Sequence, residues 1–442
     1  MRLFWLLVSS LSLLFSSPYF LIDAQGRDFS PIDTMPKADI ADMHTLPQEI
    51  GYYAKSLKPL SDTTQQRAVE AFKRAYFKPW KLHHLTIDPN DFQWEIRFVQ
   101  KAPIYTQDAK PIPAKVYQAW IANEAYTSRN TIHRYAIAIR HTDLKAFPSF
   151  TPFYRDPHQT GEGFPFDYNQ NSALHLHTPL FVSHYSRDKK WAFVEASYAF
   201  GWVKREDIRL LTPTMCQKLR QMRYGVAIKD NLRISTSTHH FYSLVKLGTL
   251  FPLNPQTNQP MLISQMPHSR DYLFNIKVTL KEAIAPFPLP FTAQNVTRTL
   301  TQLYNEPYGW GEGFGCRDCS ATTRDFLGLF GFFLRRNSSQ QYQDGKKTPL
   351  PKTSKTRRKA FIIKHALPFR SLLYTKGHIA LYLGAYHQEP VIFHTYWGIR
   401  QKDGSKYITA RTIISSTEPA KEKKETKERS KLIHTLQTIV TF

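Results

Sequence analysis

One cysteine near a predicted helix start and two histidines on predicted neighbouring strands are the residues of this chain best suited to act together on a carbonyl. The stretch from 308 to 321 reads Tyr-Gly-Trp-Gly-Glu-Gly-Phe-Gly-Cys-Arg-Asp-Cys-Ser-Ala. Glycines at 309, 311, 313 and 315 rule out a regular element and let the loop approach another backbone closely. Beyond the loop, Cys319, Thr323, Phe326, Leu327, Phe330 and Leu334 recur at helical spacing. Asp318 is suited to cap that helix, which places Cys319 in its first turn. Unpaired backbone N–H groups and the helix dipole there favour the thiolate, the form that attacks carbonyls. Cys319 is the candidate nucleophile.

A base comes from two later stretches. Residues 377–384 (Gly-His-Ile-Ala-Leu-Tyr-Leu-Gly) and 391–398 (Val-Ile-Phe-His-Thr-Tyr-Trp-Gly) read as strands joined by a turn. A hairpin centred near 386 and 387 puts His378 and His394 on one face, opposite or diagonal. One imidazole then takes the thiol proton while the second orients the first. With 17 histidines in the chain, such a pair carries weight only through the motifs around it.

Those motifs resemble a family. Tyr308-Gly-Trp-Gly, Asp318-Cys319-Ser320, Arg336-Asn-Ser338-Ser-Gln-Gln341, Gly377-His378 and Phe393-His394-Thr-Tyr-Trp397-Gly398 are similar, in order, to the motif series of NlpC-type, papain-like cysteine peptidases of bacterial peptidoglycan stem peptides. The resemblance implies Cys319 as nucleophile, His378 as base and His394 as its orienter. It also implies that the Tyr308 hydroxyl joins the Cys319 N–H in stabilising an oxyanion. Asp318, Ser320, Trp310 and Ser338 are then the candidate substrate contacts, and the bond cut lies between D-glutamate and diaminopimelate. Asp318 has two readings, a helix cap and a partner for a free L-alanine amine. No cofactor is implied and no metal is expected, since Cys316-x-x-Cys319 lacks a second ligand pair. A Cys316–Cys319 disulfide, an acyltransferase using the same intermediate and a non-catalytic wall-binding protein all stay open.

At 442 residues the chain exceeds one ordinary core. Arg2 and the apolar run from Leu3 to Phe15 have the shape of a signal peptide cleaved after Ala24, with an uncleaved anchor as the competing reading. The expected location is the periplasm or cell wall, as a soluble exported protein. A formal charge of +24 favours anionic partners. No nucleic-acid recognition motif accompanies it, so stem peptides, with peripheral wall or membrane-surface contact through basic patches, are the expected partners of a monomer.

The texture divides the chain further. Residues 25–130 are expected to form a mostly helical N-terminal clip, irregular up to 58 and helical around 61–80, 92–98 and 116–121. Residues 131–213 carry alternating strands at 180–184, 191–194 and 198–203 and resemble a bacterial SH3-like barrel, with Gly201-Trp202-Val203 its most distinctive piece. That barrel is expected either to wall the cleft or to serve structure alone. Residues 214–285 read as a short helical link and a second SH3-like barrel, and 286–442 as the peptidase domain. Within it, the basic run 346–359 reads as a solvated loop, with anchoring to an anionic wall as its functional alternative. The tail from Lys421 reads as an exposed helix whose Leu432, Leu436 and Ile439 dock its end. The expected fold is therefore multidomain: an α+β papain-like catalytic domain preceded by two small SH3-like barrels and the clip.

Overall fold

The computed structural model describes residues 21–22, 28–29, 35, 37–159, 161–235, 241–263, 273–275 and 282–442. Of the expected leader, only Leu21–Ile22 falls among them, paired with Asp28–Phe29. No helix of the described residues is long and apolar enough to cross a membrane.

Five helices precede the first barrel: α1 (Asp42–Thr45), α2 (Ile50–Ala54), α3 (Asp62–Tyr76), α4 (Trp94–Lys101) and α5 (Ala114–Asn123). The stretch before 58, expected to be irregular, carries α1 and α2. Burial decides this, since Ile50, Tyr53 and Ala54 join the main core. Ser61 caps α3 by accepting the Thr64 N–H at 3.3 Å.

A seven-stranded antiparallel sheet follows, from β1 (Arg134–Ala138), β2 (Thr142–Lys145), β3 (Gln170–Leu174), β4 (Pro179–Tyr185), β5 (Trp191–Ala196), β6 (Phe200–Lys204) and β7 (Ile208–Leu211), in the order β3-β2-β6-β5-β4-β1-β7. Trp202 is fully buried against Phe193, with Leu85 of the N-terminal part in the same cluster. Helix α6 (Pro213–Gln221), capped by Thr212, leads to a second block of short strands. These begin with β8 (Tyr224–Ala227), which pairs with residues 250–252 and 284–286.

The C-terminal part is a helix packed on an antiparallel sheet. Thr292 caps α7 (Ala293–Leu300), and α8 (Cys319–Gly328) follows the glycine loop. The short α9 (Ser338–Gln341) comes next. The sheet comprises β9 (Lys346–Pro349), β10 (Ser371–Thr375), β11 (His378–Tyr386), β12 (Glu389–Arg400), β13 (Lys406–Ser416) and β14 (Thr438–Thr441), in the order β9-β14-β10-β11-β12-β13. Strand alternation explains how one strand serves two cores. Ile379, Leu381 and Leu383 share a cluster with Phe326, Leu327 and Phe330 of α8. Ala380 and Tyr382 pack instead with Ile362 of α10 (Lys355–His365). Each such apolar side chain removed from water contributes about 2 kcal/mol.

Two expectations are overturned. The run 346–359 is not a loop but strand β9 and the start of α10, although most of its side chains do face solvent. Lys355 pairs with Glu418 at 3.0 Å, and Lys359 pairs with Glu389 at 2.7 Å and with Glu418. Arg358 donates to the carbonyls of Ile433 (2.8 Å), Pro351 (2.7 Å) and Leu436. These three cations are paired within the domain, and most of their partners are distant in sequence. The tail is not an exposed helix either, because β14 inserts between β9 and β10. Its Thr-Ile-Val-Thr run is the β-branched signal that the preceding lysines and glutamates mask.

Where the N-terminal helices meet the first sheet, two carboxyls are buried together. Glu95 of α4 and Glu124, just after α5, both lie within reach of the Tyr126 hydroxyl, at 2.7 and 3.2 Å. Phe92, His184, Phe193 and Trp202 surround Tyr126, and neither carboxyl has an ion-pair partner among the described residues, Arg97 acting on Glu95 only from a distance. Burial pushes Glu95 up to about 7. Burial, aided by the neighbouring carboxylate, pushes Glu124 up to about 10. Both are above the ordinary 4.5, so the folded chain holds protons that the unfolded chain releases, and stability falls as pH rises through that window. Glu124→Gln should therefore lose less melting temperature between pH 6 and pH 9 than the parent does. Thermal melts across that range measure it, and parallel losses in the two proteins would exclude the buried pair as the cause.

Candidate active site

The glycine loop is held in a conformation that few residues tolerate. Gly311, Glu312, Phe314 and Gly315 all have positive φ, at 60°, 63°, 59° and 67°. A Cβ on Gly311 would sit 2.1 Å from the Gln170 carbonyl oxygen of β3, so only glycine lets the loop lie against the barrel. The strained Glu312 is held by its carboxylate. Arg324 donates to it at 2.6 and 3.0 Å, and the Ser172 hydroxyl donates at 2.9 Å. Arg336 adds an ion pair at 3.0 Å.

The loop delivers Cys319 as the first residue of α8. Asp318 caps the helix by accepting the Ala321 N–H at 2.9 Å, and the Ser320 hydroxyl donates to the same oxygen at 3.0 Å. Arg336 donates to both Asp318 oxygens, at 3.1 and 2.7 Å. The Ile379 backbone, next to His378, lies near enough to the Cys319 sulfur to favour its ionised form, which brings the start of β11 close to the thiol. The expectation of a thiolate is not met. Burial pushes the thiol up to about 12, and the adjacent Asp318 carboxylate adds to this. Arg336 and the local N–H groups only partly oppose it. Burial outweighs the helix end.

The two histidines lie diagonally across the β11–β12 pair, with ring centres 5.1 Å apart. The hairpin turns at His387 and Gln388, both at positive φ (46° and 64°), one residue later than the sequence suggests, and a bulge between Tyr382 and Gly384 shifts the register. His378 Nε2 is 2.8 Å from His394 Nδ1, and His394 Nε2 is 3.0 Å from the Ser415 hydroxyl. That hydroxyl donates to the Ser416 carbonyl at 2.8 Å, so its single hydrogen is used. Ser415 must then accept from His394 Nε2–H, His394 Nδ1 must accept from His378 Nε2–H, and His378 Nδ1 is left as a free base. Burial lowers His378 to about 4, although the ring keeps some exposed surface and Asp318 opposes the shift. Burial and His378 hold His394 well below the ordinary histidine value.

A cleft of about 390 Å³ opens over the thiol, lined by Cys319, Tyr308, Trp310, Asp318, Ser320 and Ser338. All the residues proposed from sequence for substrate contact thus lie on one surface with the thiol. Tyr308 is buried close enough to Cys319 and Asp318 for their charges to raise its phenol, though burial raises it more. Sequence reasoning missed three kinds of residue. Asp91 and Trp94 enter the cleft from the N-terminal part, and Asn171, Tyr198 and Phe200 enter from the first sheet. Ser415 terminates the histidine chain. No local pattern marks any of them, because each reaches the site through packing between distant segments. Cys316 and Cys319 are not joined by a disulfide.

Family models match three stretches: the NLPC_P60 stabilising domain, N term, at residues 6–128, an SH3 domain of SH3b1 type at 152–204, and an SH3 domain of SH3b2 type at 216–258. A solved NlpC/P60 endopeptidase from Photobacterium damselae subsp. piscicida is similar in fold at TM-score 0.79. It is 19% identical, over 92% of this chain and 98% of that one. The chain shares the fold of that endopeptidase. An NlpC/P60 family protein from Bacillus cereus ATCC 10987 is similar at TM-score 0.45 and 13% identity, over 70% of this chain and 99% of that one. No curated protein sequence matches. The chain is multidomain, with two SH3-like domains, as its sequence suggests.

The neutral resting thiol is open to measurement. Iodoacetamide should modify Cys319 slowly at pH 7, with a rate that rises about tenfold per pH unit up to at least pH 9. Mass mapping of the labelled peptide separates it from Cys216 and Cys316. A rate for Cys319 already level at pH 7 would show a resting thiolate instead.

Proposed function

We propose that this chain is a cysteine endopeptidase of peptidoglycan stem peptides that cuts the γ-D-glutamyl-diaminopimelate bond through an acyl-enzyme. The observation that carries the reading is the directed chain Ser415–His394–His378, which leaves a free imidazole nitrogen at the strand start that lies near the buried Cys319 thiol.

In this mechanism His378 Nδ1 takes the thiol proton as sulfur attacks the carbonyl carbon, and returns it to the leaving amine. Water then hydrolyses the thioester, with His378 as base. His394 accepts from His378 Nε2–H, fixing the tautomer and steadying the imidazolium as it forms. The oxyanion is stabilised by the Cys319 N–H, one of the unpaired donors of the helix start, and by the Tyr308 hydroxyl. Each such donor is worth about 3 kcal/mol in the transition state. No step calls for a metal or cofactor.

Trp310, Ser320, Ser338 and Asp318 are the proposed contacts to the stem. Asp318 already caps α8 and pairs with Arg336, so a substrate ammonium would compete with that guanidinium. This favours the cap reading of Asp318 over an amine-selecting one. The SH3b1-type domain, which contributes Asn171, Tyr198 and Phe200 to the cleft, is proposed to wall the site as well as to serve structure.

Digestion of purified muropeptides with identification of products by mass spectrometry tests the reaction. New amino-terminal diaminopimelate is expected, whereas stems joined to an added amine would show transfer, and unchanged stems would refute the assignment. Cys319→Ala should abolish cleavage and leave the melting temperature within a few degrees of the parent. His378→Ala should cost more activity than His394→Ala, and His394→Gln should retain more than His394→Ala because it still accepts from the ring N–H. The neutral base form of His378 is required, so kcat/KM should fall below about pH 4, the value to which burial lowers that group. An acid limb near pH 6.5 would mean that burial does not set it.

A further inference from the structure

A second hollow, of about 500 Å³, shares no residue with the cleft. It lies where α3 and the turn after it meet α6 and β1, and its rim carries Lys73, Arg74, Lys81 and Arg220 over Phe77, Trp80 and Tyr135. No aspartate or glutamate lines it. Unlike the cations of 355–359, none of these four forms an ion pair or side-chain hydrogen bond among the described residues. Lys73 and Arg74 sit in the last turn of α3, and Arg220 in the last turn of α6, where helix dipoles favour positive charge. Each helix end supplies only about half a negative charge, so two of them leave a surplus of about three positive charges. Clustered like charges with no counter-charge destabilise the fold, and a bound anion would relieve the repulsion.

We propose that this hollow binds a phosphate group carried on a sugar- or polyol-sized body. The surplus of several charges calls for a polyvalent anion rather than a single carboxylate, and two guanidinium forks suit phosphate oxygens. The volume exceeds what a bare phosphate fills. The buried faces of Phe77 and Trp80 provide an apolar floor for an attached ring or chain. A membrane surface fits less well. The exposed large apolar side chains among the described residues are Tyr52, Phe150 and Leu367, and none borders the hollow, so nothing there would enter an acyl layer. The site stands independently of the cleft and of the peptidase assignment.

The test uses the full chain and its Arg74→Ser/Arg220→Ser variant, with calorimetric titration of glucose 1-phosphate, glycerol 1-phosphate, inorganic phosphate and glucose. Saturable binding of the two organic phosphates is expected, stronger than that of inorganic phosphate, with glucose silent. The variant should bind about tenfold or more weakly, in line with the loss of charge-assisted contacts, while its melting temperature in the absence of ligand does not fall. Equal affinity in parent and variant would overturn the assignment, as would inorganic phosphate binding as tightly as the organic esters. Capture of the parent by phosphatidylglycerol vesicles with no binding of soluble phosphates would overturn it in favour of a lipid surface.

Discussion

The carboxylate of Glu312 is the point on which the half of this molecule that carries the candidate site is hung. It is withdrawn from water at a backbone position that side chains rarely adopt, and it survives there because Arg324, Arg336 and Ser172 all converge on it. Removing an ion from water costs several kcal/mol even after relaxation, so such a group persists only when every lone pair is answered. The requirement spreads. Arg324 also holds Asp325 at 2.7 Å, and Asp325 is shared with Arg317 at 2.6 Å. Arg317 in turn holds Asp230 at 2.8 Å and Glu306 at 3.0 Å, and Lys246 pairs with both of those acids. One buried ionic web thus joins the first sheet, the second strand block, the glycine loop and α8. Burying the web adds little net stability over an apolar core, yet the loss of any one member would strand a charge, so the domains hold one relative placement.

Besides Arg324 and Asp325 within α8, one further residue ties the web to the helix start that carries Cys319. Arg336 pairs with Glu312 on one side and with Asp318, the cap of the Cys319 helix, on the other. The orientation of the helix start is therefore tied to the same charges that fix the barrel. His175, Glu312 and Asp325 are by residue type a set that could ligate a metal ion. The Arg324 guanidinium already lies among them, 3.3 Å from His175, 2.6 Å from Glu312 and 2.7 Å from Asp325, and supplies the positive charge that such a trio demands.

What the sequence made legible was local. Helix starts at Ala293 and Cys319 follow from Thr292 and Asp318, because a cap and its apolar period lie within one short window. The two histidine strands follow from period and turn signals, and their diagonal pairing survives a turn misplaced by one residue because the bulge keeps both rings on one face. What stayed hidden was answered from far away. Lys355 and Lys359 read as solvated until Glu389 and Glu418 come to meet them. Ser415 is one more hydroxyl in a strand until β13 lies beside β12. The thiolate expectation failed for the same reason: a helix end is visible in sequence, whereas the depth at which tertiary packing sets Cys319 is not.

That depth shapes how the proposed chemistry runs. Burial acts on the thiol and the imidazole in opposite directions, raising one to about 12 and lowering the other to about 4, so the separated ion pair is disfavoured at rest. Proton transfer must then accompany attack, when the developing oxyanion and the imidazolium can be stabilised together by donors already in place. The His378–His394–Ser415 chain suits that demand, because it fixes the direction of every hydrogen bond before substrate arrives and needs no reorganisation as charge appears. A resting thiol also resists oxidation far better than a thiolate. The same burial that slows the proposed nucleophile in the empty site thus also protects it from oxidants.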